Sequence, residues 1–372
     1  MNRFFLVVIL FYSIPHLILY ARLRPFLSPR QRLPVLLALL VLMSTCFSGF
    51  LLYRGGFQIA RPILDLSFFW LAFIFWTFCA SLPMTAWNAF FRLLPATRRP
   101  PALGPLIQLR VILGLSLLAF AWSAVESRRV NVRTLHVPGL SASRAMRIAL
   151  ISDLHLSPFG NRPAAERSLA LLRELNPDII LSVGDLVDAP ATEIMPELQA
   201  LGALHPPLGK FAVLGNHEFY TGLADSLADH KIAGFQLLRE SSVEPVPGLV
   251  IAGVDDAYGH DHTRELVIPL ANESRALPPA STKSSVILLK HRPVITPVAG
   301  ERADLQLSGH THGGQLFPFH IVVRAMFSHL SGLHRESPRT WLYITRGTGT
   351  WGPPLRLSAP PEITLLIIPA TP

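Results

Sequence analysis

Four apolar runs, at about 4–21, 34–53, 64–85 and 106–124, crowd into the first 125 residues of this 372-residue chain. Each is close to the ~20 residues that an α-helix needs to cross a bilayer. Inside a bilayer a single segment satisfies its backbone groups only as a helix. Residues 1–125 are therefore expected to form an all-α transmembrane anchor of about four helices. The first run lacks a small-x-small cleavage site after it and is followed by more spans, so it reads as retained and not as a signal peptide. Trp70, Trp76, Trp87 and Trp122 fall at positions suited to the membrane interface or to packing between spans.

The net charge is +9, and most of it comes from Arg. A basic balance points to nucleic acid or to an anionic membrane surface. The later part of the chain has no basic helix or aromatic-basic stripe, and many Arg flank the apolar runs. Membrane lipids are the expected partner, and nucleic acid is not. Arg22, Arg24, Arg30 and Arg32 lie in the first loop and Arg92, Arg98 and Arg99 in the third, against Arg54 and Arg61 in the second. The positive-inside rule then puts loops one and three in the cytoplasm, although Arg3, Arg128, Arg129 and Arg133 weigh the other way. The expected location is the inner membrane, with multiple passes and a periplasmic C-terminal domain. Cys46 and Cys79 both lie within apolar runs, which excludes a disulfide framework elsewhere. Residues 126–144, of mixed charge and little periodicity, read as a linker.

From residue 145 the pattern changes. Short apolar, β-compatible runs at 146–151, 178–183, 210–214, 285–289 and 305–307 alternate with helical patterns at 163–175, 192–204 and 223–233. Asn161 is a candidate cap for the first helix, with Pro163 in its first turn. The alternation argues for βαβ units in a layered α/β domain. Runs at 249–254, 341–345 and 363–368 lack long helices between them and suggest a second, more antiparallel sheet.

Each of the five earlier runs ends in a polar motif. In order they are Asp153-Leu154-His155, Gly184-Asp185-Leu186-Val187-Asp188, Gly215-Asn216-His217-Glu218, Lys290-His291-Arg292 and Gly309-His310-Thr311-His312. Sites in α/β sheets form beyond the carboxyl ends of strands, so these motifs are expected to converge. Any one alone reads better as a polar turn or a structural His. Together they offer carboxylate, amide and imidazole ligands for two adjacent divalent ions, and N/O ligands without thiolate suit Mn, Fe or Zn. Gly184 lets the chain turn so that Asp185 projects above the sheet, where its two oxygens can bridge the ions. Asp188 is expected to cap a helix or to support the ligands from outside.

The order D-x-H, GD-x-x-D, GNH[E], H, GH-x-H resembles the calcineurin-like metallophosphoesterase superfamily over roughly residues 145–370. Arg346-Gly347-Thr348-Gly349, Gly352-Pro353-Pro354-Leu355-Arg356 and Pro360-Pro361-Glu362-Ile363 resemble the C-terminus of membrane-associated bacterial members of the YaeI/YkuE type. The resemblance implies a double β-sheet sandwich flanked by helices over residues 145–372. It implies one ion on Asp153, His155, Asp185 and His312, and a second on Asp185, Asn216, His291 and His310. A hydroxide between the ions would attack phosphorus in line. It places His217 beside the substrate as the catalytic residue that protonates the leaving oxygen or stabilises the transition state. Glu218 is a candidate to orient His217.

Arg346 either reaches a substrate phosphate or forms a structural ion pair. His205, His230, His260 and His262 lack motif context and are expected at the surface. The basic, apolar segment between His312 and Trp341 is either a strand plus a core helix or a lip that admits a lipid-linked substrate. The expected function is a membrane-anchored, metal-dependent phosphodiesterase acting on a phospholipid or another lipid-linked phosphoester. Two other readings stay open: a phosphomonoesterase or phosphoprotein phosphatase with the same core, and a metal-binding membrane scaffold without activity.

Overall fold

The computed structural model of the chain describes residues 3–95, 97, 103–159, 162–256 and 270–371. They form two compact units, Met1–Val125 with Gly352–Leu355, and Glu126–Trp351 with Arg356–Pro372. Arg98, Arg99, Asn161, His260 and His262 lie outside the described residues.

The first unit is helical: α1 (Arg3–Leu23), α2 (Pro29–Arg54), α3 (Ala60–Leu93) and α4 (Pro105–Glu126). Among the described residues α2, α3 and α4 are long and apolar enough to cross a membrane. The first expected span is helical too, as α1. These helices are apolar all round, the pattern of segments that meet lipid instead of water. Leu19, Leu39 and Ile74 pack at the centre of the bundle with Trp70 and Leu113. Two polar side chains of this unit, Trp70 and Arg22, find partners across helices. Trp70 Nε1 donates to His16 Nε2 at 2.8 Å, and Arg22 donates to Gln108 Oε1 at 2.9 Å and Thr85 Oγ1 at 2.7 Å. Such bonds matter where no water competes for the donor. Trp76 is buried, whereas Trp87 and Trp122 are exposed.

The second unit runs β1 (Asn131–Leu135), β2 (Met146–Ile151), α5 (Arg162–Leu175), β3 (Ile179–Ser182), α6 (Ala191–Gly202), β4 (Lys210–Ala212), α7 (Asn216–Thr221), α8 (Leu223–Ile232) and β5 (Gln236–Leu237). It continues through β6 (Ser241–Val246), β7 (Leu249–Gly253), α9 (Leu270–Ala276), β8 (Ser285–Leu289), α10 (Pro297–Arg302), β9 (Leu305–Ser308), α11 (His320–Met326), β10 (Gly332–Arg335), β11 (Trp341–Ile344) and β12 (Glu362–Ile368). Among the described residues the strands form two six-stranded sheets, ordered β1-β12-β2-β3-β4-β5 and β10-β11-β9-β8-β7-β6.

Strand alternation builds the layers. Ile148 and Leu150 of β2 face the core shared by both sheets, with Ile251, Ile287 and Leu307 from the other side. Ala149 and Ile151, one residue out of phase, pack with Leu169 and Leu172 of α5 and Leu198 of α6. Helices α9 and α10 cover the far face of the second sheet through Ala276 and Ala299. The result is the expected sandwich of two mixed sheets flanked by helices.

Three details differ from the sequence reading. The expected linker at 126–144 contains β1, which pairs parallel with β12. Strand β12 itself joins the first sheet, antiparallel to β2, and not the second. The second sheet is parallel through its centre, β7-β8-β9-β11, and antiparallel only at its two edges. An apolar run announces a buried strand, but its partner is chosen by packing far away in sequence.

Lys210 is also buried. Its Nζ donates to Leu201 O at 2.6 Å and Ala233 O at 2.7 Å, closing the carboxyl ends of α6 and α8. Burial pushes its pKa down to about 8.

Candidate metal centre

Five of the seven candidate ligands sit in left-handed backbone: Asp153 (φ 51°), His155 (46°), Asp185 (53°), His310 (70°) and His312 (50°). Each such non-glycine residue costs on the order of 1–3 kcal/mol, and this kind of strain gathers at functional sites. Cross-links between the loops hold it in place. Asp153 N–H donates to Gly184 O, His155 N–H to Asp185 O, Gly309 N–H to His291 O and Gly349 N–H to Asp153 O, all at 3.0 Å. Gly184 is required here, because it has φ +95° and a Cβ would lie 2.5 Å from Gly215 N. At Gly309 a Cβ would collide with Ser152 Oγ.

The strand ends bring the side chains together. Asp153, His155 and His312 form one potential metal-holding group, Asp185, His291 and His310 a second, and His155, Asp185 and His217 a third that joins them. Within each group the ligand atoms lie within 4.8 Å of one another. His155 Nε2 is 3.1 Å from His312 Nε2 and 3.8 Å from Asp185 Oδ2. His291 Nε2 is 3.1 Å from both Asp185 Oδ2 and His310 Nδ1. Asn216, at the start of α7, is buried, and its Oδ1 lies 3.4 Å from Arg292 Nη2.

The hydrogen bonds on the outer side of each ring test whether this set fits a cation. His155 Nδ1 faces Asp188 Oδ2 at 3.0 Å, and His291 Nδ1 faces Val183 O at 2.8 Å. Both partners only accept, so both Nδ1 atoms carry a proton and both Nε2 atoms face inward. At His291 the inward Nε2 faces Asp185 Oδ2 at 3.1 Å, a position that either a proton or a cation can fill. Burial disfavours charge on His291, yet Asp185 and Asp153 push its pKa up to about 10. His310 is held well below its ordinary value by burial, then by His291 and Arg292, so it stays a neutral ligand. At His312 the Arg356 guanidinium donates to Nδ1 at 3.1 Å. This leaves the proton of the neutral ring on Nε2, between His312 and His155. Burial works against ionisation of Asp185, but His291, His217 and His155 hold its carboxyl well below the usual range. The clustered Asp and His residues fit divalent cations.

His217 lies beside the cluster. Its N–H donates to Asp185 Oδ1 at 2.9 Å, and its Nδ1 bonds Asp188 Oδ1 at 2.7 Å. Burial opposes charge on the ring, but Asp188, then Asp185 and Glu218, push its pKa up to about 9. The orienting carboxylate is therefore Asp188, which holds His155 with one oxygen and His217 with the other. Glu218, the sequence candidate for that role, is fully buried and accepts instead from the backbone N–H groups of Asp185, Leu186 and Gly215 at 3.0, 2.6 and 2.8 Å. It ties the loop after β3 to the loop after β4. The spacing G-D-x-x-D was the available signal for Asp188.

Around the centre, the Tyr220 and Trp351 rings meet the His217 ring edge-on at 5.3 and 6.0 Å, and both are exposed. A cavity of about 320 Å³ begins at Gly313 and Gly314 and is lined by Phe317, Leu330, Arg346 and Leu357. Arg346 Nε pairs with the buried Glu362 at 2.7 Å while also lining that cavity. Arg356, wholly buried, donates to the backbone oxygens of Gly349, His312, Arg346 and Ala359. Sequence reading offered no reason to single it out. Of the remaining His, His205 is exposed as expected. His230 is buried in α8 with Nδ1 on Ser226 O at 2.8 Å, because its helix turns that face inward.

Comparison with known proteins points to one family. The calcineurin-like phosphoesterase family matches residues 146–314. An uncharacterized metallophosphoesterase of Aquifex aeolicus is 39% identical over 257 residues, covering 68% of this chain and 97% of that protein. The uncharacterized metallophosphoesterase YkuE of Bacillus subtilis is 30% identical over 242 residues, covering 60% of this chain and 79% of that protein. A transmembrane protein with metallophosphoesterase domain from Danio rerio is 33% identical over 242 residues, covering 60% of this chain and 53% of that protein. With its apolar helices and its ordered cluster of Asp and His, the chain belongs to the calcineurin-like metallophosphoesterases.

Proposed function

We propose that this protein is a membrane-anchored phosphodiesterase that works with two divalent cations, Mn, Fe or Zn. The observation that carries this reading is the convergence of inward imidazole nitrogens and carboxylates in three overlapping groups. One ion is assigned to Asp153, His155, Asp185 and His312, the other to Asp185, Asn216, His291 and His310. Bound there, the ions supply positive charge against phosphoryl oxygens and lower the pKa of water.

The chain's own residues do the rest. Asp188 keeps the Nδ1 proton of His217 and fixes the ring, so Nε2 is the nitrogen that hands its proton to the leaving oxygen. Tyr220 and Trp351 flank that ring and screen the leaving group from water. A diester carries a second organic group, and the cavity beside Gly313 and Gly314 offers room for it. The anchor favours a lipid-linked substrate. We place the protein in the inner membrane with several passes and the catalytic domain in the periplasm, as the Arg of the first and third loops argue. Alkaline phosphatase fused after Pro372 is then active in cells; an inactive fusion beside an active cytoplasmic reporter reverses the orientation.

The chemistry is tested with detergent-purified full-length protein and Mn²⁺, on bis-p-nitrophenyl phosphate against p-nitrophenyl phosphate. The diester is expected to be the better substrate, and His217→Ala to lower its turnover by on the order of 10²-fold with metal content unchanged. Monoester preference moves the reading to a phosphatase. Bound metal with no turnover of either ester moves it to a binding scaffold.

A further inference from the structure

Helix α11 wears its apolar face outward. At 100° per residue, Ile321, Ala325, Val322 and Met326 span an arc of about 140°, and all four are exposed. Ile321 is 64% and Met326 73% exposed, and none of the helix's residues is buried. Phe317 and Phe319, just before it, are exposed as well. Arg324 is exposed at the border of the arc. The opposite side joins the site: the Phe327 ring lies edge-on to His310 at 5.4 Å, and the His320 ring stacks on Phe317 at 5.1 Å. Sequence reading offered a core helix or a lip here; the burial excludes the core helix.

A soluble domain normally points such a stripe at its core. Turned outward and bordered by a cation, it has the composition of a helix that lies in a membrane interface. The chain itself supplies the membrane. Helices α2, α3 and α4 are long and apolar enough to cross one. Only residues 127–130 connect α4 to β1, a reach of at most about 18 Å. We infer that α11, with Phe319, docks on the bilayer surface of the chain's own membrane, with Arg324 at the headgroups. The lipid interface then lies beside the loop that carries His310 and His312. This inference rests on membrane anchoring and not on the reaction proposed above.

The test uses the full chain with Cys46→Ser and Cys79→Ser, in nanodiscs of phosphatidylethanolamine and phosphatidylglycerol. A bimane label is placed by Ile321→Cys, by Met326→Cys, or by Glu174→Cys on the exposed side of α5. Nitroxide-bearing lipids are expected to quench labels at 321 and 326 about threefold more than at 174, and aqueous iodide to show the reverse order. No substrate is present, so this outcome is independent of hydrolysis. Equal iodide quenching at all three positions overturns the docking. Disulfide cross-linking through position 321 between two copies, without lipid quenching, overturns it in favour of a protein interface.

Discussion

Asp185→Asn lowers diester turnover by on the order of 10³-fold or more and reduces bound metal, with the fold retained. Asp185 is the residue shared by the two candidate cation sites. Its Oδ2 lies 3.1 Å from His291 Nε2 and 3.8 Å from His155 Nε2, while Oδ1 accepts the His217 N–H at 2.9 Å. Asparagine keeps the volume but removes the charge and turns one acceptor into a donor. If oxygen stays on His217 N–H, the new amide hydrogens point at the ring lone pairs. If it flips, the His217 N–H loses its acceptor. Either way a bridging carboxylate is lost, and with it charge stabilisation at the reacting centre. Metal content by inductively coupled plasma measurement, turnover of bis-p-nitrophenyl phosphate and circular dichroism together check this. Full metal content with near-normal turnover in the variant sinks the two-ion assignment.

Glu218→Ala is expected to destabilise the second unit by about 4 kcal/mol, which lowers the melting temperature by about 10 °C in a domain of this size. The carboxylate is fully buried and accepts from Asp185 N–H, Leu186 N–H and Gly215 N–H, with Val187 N–H at 3.4 Å. Removing it leaves these donors buried without an acceptor, at about 1–3 kcal/mol each before relaxation. Glu218→Gln keeps one oxygen and loses less. Because the role is structural, the drop persists when a chelator is present throughout the melt. A variant that melts like wild type in chelator, and differs only with Mn²⁺, assigns Glu218 to metal binding instead.

Much of the site was legible because ligand chemistry is local. A strand that ends in Gly-Asp or Gly-His-x-His projects those side chains past the sheet edge, whichever strands lie beside it. Asp188 and Glu218 were harder. Asp188, three residues beyond Asp185, reads as a helix cap or an outer support, and Glu218, two beyond Asn216, reads as the group that orients His217. Their bonds run to His155 and His217 in one case and to two backbone loops in the other. Arg356 stood in the sequence only as the end of a tail motif, yet it is wholly buried against the His312 loop.

The sequence by itself determined the helical anchor, the alternating α/β domain and the candidate ligands, because helix length, strand period and ligand type are properties of neighbouring residues. Only the tertiary structure decided that β12 lies between β1 and β2, that one carboxylate serves two imidazoles, and that α11 faces outward. An apolar stripe reads the same in sequence whether it meets a core or a membrane, and a strand's partner is chosen by packing across some two hundred residues of chain, as Ile148 opposite Leu366 shows.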